Sequence, residues 1–172
     1  MPEVSDAVTM KGNPVTLIGN EVQIGKPAPD ATLVANDLSE VQLSSFKGKK
    51  IILSIVPSLD TPVCDLQTKR FNEEAGKLGK DVVVLTISMD LPFAQKRWCG
   101  AAGNINENLQ TLSDHRDASF GEAYGVLVKE LRLLTRAIFL IDSTGIIQYK
   151  QIVPEITDEP NYDEALEAFK NL

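Results

Sequence analysis

Two apolar runs, Ile51-Ile-Leu-Ser-Ile-Val56 and Val82-Val-Val-Leu-Thr-Ile-Ser88, constrain this chain more than any other feature. Both are rich in β-branched residues and lack the polar alternation of a strand with one wet face. They therefore read as strands buried on both sides, the kind found at the centre of a parallel sheet. Between them, apolar residues recur at Phe71, Ala75 and Leu78, which marks a helix running to about Gly79. Strand, helix and strand in succession point to an α/β sheet covered by helices on both faces.

The flanking segments fit that frame. Residues 8 to 18 read as a hairpin around Gly12-Asn13. Gly25-Lys-Pro-Ala-Pro29 breaks the pattern before an extended segment, Ala31 to Val34, and a short strand follows near Val41 to Leu43. After the second buried run, Pro92 suits the first turn of a helix that carries Trp98 and Cys99 and ends at Gly100-Ala-Ala-Gly103. A strand at Leu109 to Leu112 comes next, then a helix from Ala118 to Tyr124 stopped by Gly125. Ala137 to Ile141 and Ile146 to Val153 form a second hairpin across Asp142-Ser-Thr-Gly145. The last helix carries Tyr162, Ala165, Leu166 and Phe169 at helical spacing, with Asn161 and Glu164 placed as a capping box. With 172 residues and no linker or repeat, one domain over 1–172 is expected.

Seventeen basic against twenty-four acidic residues give a net charge of -7, which argues against a nucleic-acid partner. The N-terminus has no export signal and no run is long enough for a membrane span, so a cytoplasmic protein with no membrane contact is expected. The two cysteines, Cys64 and Cys99, are too few for a stapled secreted scaffold and suit redox chemistry in a reducing compartment. A static bridge between them remains the other use; the loop it closes would contribute about 4 kcal/mol. His115 is the only histidine, and no Cys-x-x-Cys or His-x-x-x-His spacing suggests zinc. No metal or other cofactor is expected.

The first buried run ends at Pro57, and the turn-rich Ser58-Leu-Asp-Thr61-Pro-Val then delivers Cys64 to the head of a helix. Unpaired backbone N–H groups and the positive end of the helix dipole favour an anion there, which makes this thiol a candidate nucleophile. The plain alternative is a small buried hydrophobe.

Pro57-x-x-x-Thr61-x-x-Cys64 resembles the active-site signature of peroxiredoxins. The longer string from Ser58 to Asn72 is similar to the bacterial thiol peroxidase branch, the atypical two-cysteine peroxiredoxins. Similar blocks lie in Asp90-Leu-Pro-Phe-Ala-Gln-Lys-Arg-Trp-Cys99, in Arg136-Ala-Ile-Phe-Leu-Ile-Asp142 and in Glu155-Ile-Thr-Asp-Glu-Pro160, so the resemblance spans nearly the whole chain. It implies a thioredoxin-like fold with an N-terminal β-hairpin and reduction of hydroperoxides. It also implies Cys64 as peroxidatic and Cys99 as resolving cysteine, recycling by thioredoxin, and a homodimer. One departure is Ala31, where the family usually has phenylalanine after Ala28-Pro29-Asp30, and packing under the first strands is where it should tell.

For any thiol, lowering the pKa from about 8.5 to about 6 raises the thiolate fraction roughly 30-fold at neutral pH, but the weaker nucleophile loses about tenfold. Ionisation alone therefore contributes only a two- to threefold gain. The larger effect must come from groups aimed at the peroxide oxygens as the bond stretches. Thr61 and Arg136 are the candidates. The Thr61 hydroxyl could hold a peroxide oxygen over the sulfur, or serve as an ordinary helix N-cap. Arg136 would have to reach across the sheet end; without the resemblance it reads as a surface charge. Pro57 should shape the turn and shield the pocket from water. Cys99 would condense with the Cys64 sulfenic acid, or else is a helix residue packed beside Trp98. Two rival functions stand beside the peroxidase: a disulfide oxidoreductase, which the missing Cys-x-x-Cys disfavours, and a non-catalytic binding or chaperone module with a structural disulfide.

Overall fold

The computed structural model describes residues 1–172. The expected N-terminal hairpin is β1 (Glu3–Met10) paired antiparallel with β2 (Asn13–Ile18), and its first strand begins earlier than the apolar pattern shows. The remaining strands are β3 (Thr32–Val34), β4 (Glu40–Gln42), β5 (Lys50–Ile55), β6 (Val82–Ser88), β7 (Leu109–Ser113), β8 (Leu127–Val128), β9 (Leu133–Leu134), β10 (Ala137–Ile141) and β11 (Ile147–Ile152). The helices are α1 (Pro62–Ala75), α2 (Pro92–Ala102), α3 (Ser119–Tyr124) and α4 (Tyr162–Lys170).

Seven strands form the main sheet in the order β11-β10-β5-β6-β7-β3-β4. The two long apolar runs, β5 and β6, are parallel neighbours near its centre, and β7 continues the parallel set. Strand alternation divides their side chains between two cores. Ile52, Val84, Ile138 and Leu140 face one side, where Phe71 and Ala75 of α1 meet Ala165 and Phe169 of α4. Leu53, Ile55, Leu85, Ile87 and Phe139 face the other and pack with Phe120 and Tyr124 of α3. Both faces of the mixed sheet are thus covered, as a thioredoxin-like α/β fold requires. Ala31 is buried in the second of these cores, so the smaller side chain is accommodated there.

Helix α1 stops at Ala75, short of Gly79. Glycines just past its end, at 76 and 79, disfavour its continuation, and the Asn108 side chain donates to the Ala75 carbonyl at 3.4 Å and to the Gly79 carbonyl at 2.8 Å. The predicted cap of α4 is half realised. Asn161 Oδ1 accepts from the Glu164 N–H at 3.0 Å, but the Asn161 N–H donates to Gln151 rather than to Glu164. A second, four-stranded sheet, β1-β2-β8-β9, extends the hairpin in a way the sequence did not indicate. The hairpin is also tied to the C-terminal region: Thr9 N–H donates to the Pro154 carbonyl and Ile156 N–H to the Thr9 carbonyl, both at 2.8 Å. That tie fixes the backbone of Ile156, which matters for the site below.

Candidate active site

The carboxyl ends of β5, β6 and β7 converge on one edge of the sheet, the usual place for chemistry in an open α/β fold. The loop leaving β5 begins at the buried Pro57 and sets Cys64 in the first turn of α1. Strand β10 runs antiparallel beside β5, with Ala137 opposite Ile55. That register puts Arg136, one residue before β10, next to the point where the Cys64 loop departs. The arginine has no sheet to cross; strand order delivers it.

Arg136 is 2% exposed, so its alternative as a flanking surface charge does not hold. Its Nη2 lies 3.3 Å from Cys64 Sγ, Nη1 donates to Gln67 Oε1 at 2.9 Å, and Nε donates to the Ile156 carbonyl at 2.8 Å. Burying a cation is costly unless something compensates it. Of the three acceptors two are neutral oxygens, so the sulfur is the one atom within reach able to carry negative charge. Cys64 itself has no exposed surface; Val56, Leu59 and Trp98 cover it. The sulfur therefore combines the burial of a structural cysteine with the charged neighbour of a reactive one.

Gln67 was not foreseen. It is fully buried, and while its Oε1 accepts from Arg136, its Nε2 donates to Ser54 Oγ at 2.8 Å, so the amide is held from both ends and fixes the guanidinium in turn. The signal was available: residue 67 lies three positions after Cys64, on the same helical face, where the apolar stripe leading to Phe71 would otherwise call for an apolar side chain.

Thr61 occupies the N-cap position of α1 but makes no side-chain cap. Its hydroxyl is exposed and donates back to the Ser58 carbonyl at 3.0 Å, which leaves the oxygen lone pairs free to accept from an incoming group. Asp90 stabilises the same loop from the end of β6: its carboxylate accepts from Ser58 Oγ at 2.7 Å and from the Leu59 N–H at 2.8 Å. A surface groove of about 640 Å³ opens beside this loop, with Leu59 and Trp98, two of the side chains that cover the sulfur, in its lining.

Both cysteines are free thiols. Cys99, on α2, is half-buried, with Sγ 3.6 Å from Thr111 Oγ1 and 4.0 Å from Asn36 Nδ2. It is Trp98, its neighbour, that packs against the cluster of Val56, Leu59 and Cys64, and the indole N–H donates to Asp65 Oδ1 at 2.9 Å. His115 lies in the loop after β7, half-buried, with its backbone N–H donating to Ser113 Oγ at 3.3 Å.

Comparison with known proteins bears on this arrangement. The Redoxin family model matches residues 23–166. A thiol peroxidase of Bacillus subtilis (strain 168) is 58% identical over 165 residues, spanning 96% of this chain and 97% of its own length. A thiol peroxidase of Listeria monocytogenes serovar 1/2a is 57% identical over 163 residues, 95% of this chain and 97% of the relative. Among solved structures, a peroxiredoxin-like protein from Aquifex aeolicus superposes with a TM-score of 0.88 at 47% identity, covering 96% of both chains. A thiol peroxidase from Chromobacterium violaceum shares the fold, with a TM-score of 0.83 at 21% identity. The chain belongs to the redoxin family and, within it, to the thiol peroxidases, enzymes that reduce peroxides with electrons from thiols.

Proposed function

We propose that Cys64 is the peroxidatic cysteine and Cys99 the resolving one in a single-domain enzyme that reduces hydrogen peroxide and organic hydroperoxides. The Cys64 sulfur attacks the terminal oxygen of ROOH, the O–O bond breaks, and the departing RO⁻ takes a proton and leaves as ROH. Cys64 is then a sulfenic acid. The Cys99 thiol attacks that sulfur as it gives up its proton, the S–O bond breaks, and the departing hydroxide takes the proton and leaves as water while the disulfide forms. A reduced dithiol donor, thioredoxin by family resemblance, returns both thiols.

The observation that carries this reading is the guanidinium of Arg136, buried without a carboxylate and 3.3 Å from Cys64 Sγ. It is oriented by Gln67 and Ile156 before substrate arrives, so it can stabilise charge on the sulfur and on the peroxide oxygens without reorganising. Thr61 completes the pocket by accepting a hydrogen bond from the peroxide O–H and aligning the oxygens with the sulfur. Pro57 keeps water from the sulfur side of the loop. The enzyme works as a homodimer in the cytoplasm, where the surroundings keep both thiols reduced; no helix is long and apolar enough to cross a membrane.

Peroxide consumption coupled to thioredoxin, compared in wild type, Cys64→Ser and Cys99→Ser, tests the assignment. Cys64→Ser should abolish turnover, and Cys99→Ser should complete one oxidation and then stall with thioredoxin as donor. Sustained turnover in Cys64→Ser would remove the mechanism.

A further inference from the structure

The residues that follow Cys64 and precede Cys99 are bonded to each other, while the two thiols are not. Asp65 Oδ1 accepts from Trp98 Nε1 at 2.9 Å, and the indole rests on the cluster that covers Cys64. Successive residues on an α-helix point about 100° apart. With Trp98 turned toward α1, Cys99 is turned away, toward Thr111 on β7 and Asn36 after β3. For the two sulfurs to meet, α2 must rotate or unwind near Trp98, or the first turn of α1 must open. Each of these motions separates the indole from Asp65.

We infer that the Asp65–Trp98 hydrogen bond is a brake on disulfide formation: it holds both helices in the peroxide-reactive arrangement and sets how long the Cys64 sulfenic acid survives before Cys99 reaches it. The inference rests on the assignment of Cys64 and Cys99 above. Asp65 and Trp98 are positioning residues, acting through the placement of the cysteines rather than on the peroxide. Lys69 pairs with the other Asp65 oxygen, Oδ2, at 2.8 Å and keeps the carboxylate aimed at the indole. Burial opposes ionisation of Asp65, yet the hydrogen bonds from Lys69 and Trp98 leave its carboxyl below the ordinary range, so the acceptor is charged at neutral pH. The lifetime has a chemical consequence. A surviving sulfenic acid can accept a second oxygen from another ROOH, releasing ROH and leaving a sulfinic acid that Cys99 does not reverse.

The test is a single turnover: reduced protein is mixed rapidly with hydrogen peroxide, quenched, alkylated and weighed intact, so that sulfenic acid, disulfide and sulfinic acid are followed in time. Trp98→Phe keeps the aromatic cover and removes only the donor; it should convert sulfenic acid to disulfide about tenfold faster than wild type, the effect of losing one charge-assisted hydrogen bond. Asp65→Ala should do the same, and the double variant should be no faster than the faster single one, because both remove one interaction. Asp65→Asn, which keeps an acceptor oxygen but not the charge, should restore part of the delay. Under excess peroxide, Trp98→Phe should accumulate less sulfinic acid. Disulfide formation within twofold of wild type in Trp98→Phe, or accelerations that multiply in the double variant, would overturn the brake. Absence of any 64–99 disulfide in wild type would instead overturn the cysteine assignment beneath it.

Discussion

Arg136→Met separates the contribution of Arg136 to chemistry from its contribution to the fold. The methionine fills much of the same volume, removes the charge, and leaves the Ile156 carbonyl and Gln67 Oε1 without their donor. Each orphaned buried acceptor costs about 1–3 kcal/mol. Relief from desolvation does not offset this, because removing one partner of a buried ionic contact is itself destabilising by about 3–5 kcal/mol. The melting temperature should therefore fall, by about 2–4 °C per kcal/mol lost in a chain of this size, and a thermal melt shows whether the variant is folded at the assay temperature. The catalytic loss is separate from this. Losing a preorganised charge aimed at the reacting atoms costs about 2.7–4 kcal/mol, or 10²–10³ in rate. The assay is the second-order rate constant for oxidation of Cys64 by hydrogen peroxide, measured in a Cys99→Ser background so that resolution does not intrude. Arg136→Lys, which keeps the charge but not the three-way fork, should fall between the two. A folded Arg136→Met protein that loses less than fivefold in this rate would refute the reasoning.

Further expectations follow from the site and from two carboxylates outside it. Gln67→Leu frees Arg136 Nη1 while keeping the helix face apolar, and should slow Cys64 oxidation about tenfold with little change in the disulfide step, as measured in the same rapid-mixing assay. Thr61→Val removes the exposed hydroxyl and should lower kcat/KM for peroxide about tenfold or more, whereas Thr61→Ser keeps it and should recover most of the loss; equal activity in the two would exclude the hydroxyl as an acceptor. Asp114 gives a pH signature. Burial pushes its carboxyl up to about 6, although the Phe120 and Gly121 N–H groups at the start of α3 donate to it at 3.0 and 2.8 Å. Between pH of about 4 and 6 the unfolded chain releases this proton and the folded chain keeps it. Stability from this group is therefore greatest below about pH 4 and declines by at most about 3 kcal/mol as pH rises through the window. Asp142 has the opposite sign, its carboxyl held down to about 2 by hydrogen bonds from Thr144, Gln148 and Ile146 despite the penalty of partial burial, so its stabilising effect is lost only as pH falls below about 4. Denaturant melts of Asp114→Asn from pH 4 to 6 should show the decline flattened; an unchanged slope would remove Asp114 as its source.

The frame of the fold was legible because β5 and β6 are long enough, and apolar enough, to be strands of one kind only. Helix stops at Gly103 and Gly125 were legible for a local reason: both glycines have positive φ, and at Gly125 an added Cβ would lie 2.9 Å from the Asn20 carbonyl. The second sheet was not, because β8 and β9 are two residues each and carry no periodicity. In the site, the position of Cys64 at a helix start was local information, while its complete burial under Leu59 and Trp98 depends on how α2 packs. Arg136 needed strand order: only pairing β10 antiparallel with β5 brings it to the sulfur, and the sequence alone offers several other arginines. Thr61 shows the reverse case. Its backbone sits at the N-cap as propensity suggests, yet the side chain turns back to Ser58, leaving the hydroxyl to other use.

The most direct measurement takes Cys99→Ser protein, adds one equivalent of hydrogen peroxide, traps sulfenic acid with a dimedone-type reagent and locates the adduct by peptide mass. The expected result is near-stoichiometric labelling of Cys64 and none when Cys64 is also replaced. Peroxide consumed at an undiminished rate by the Cys64→Ser protein, or a wild-type protein whose first oxidised sulfur is Cys99, would contradict the account.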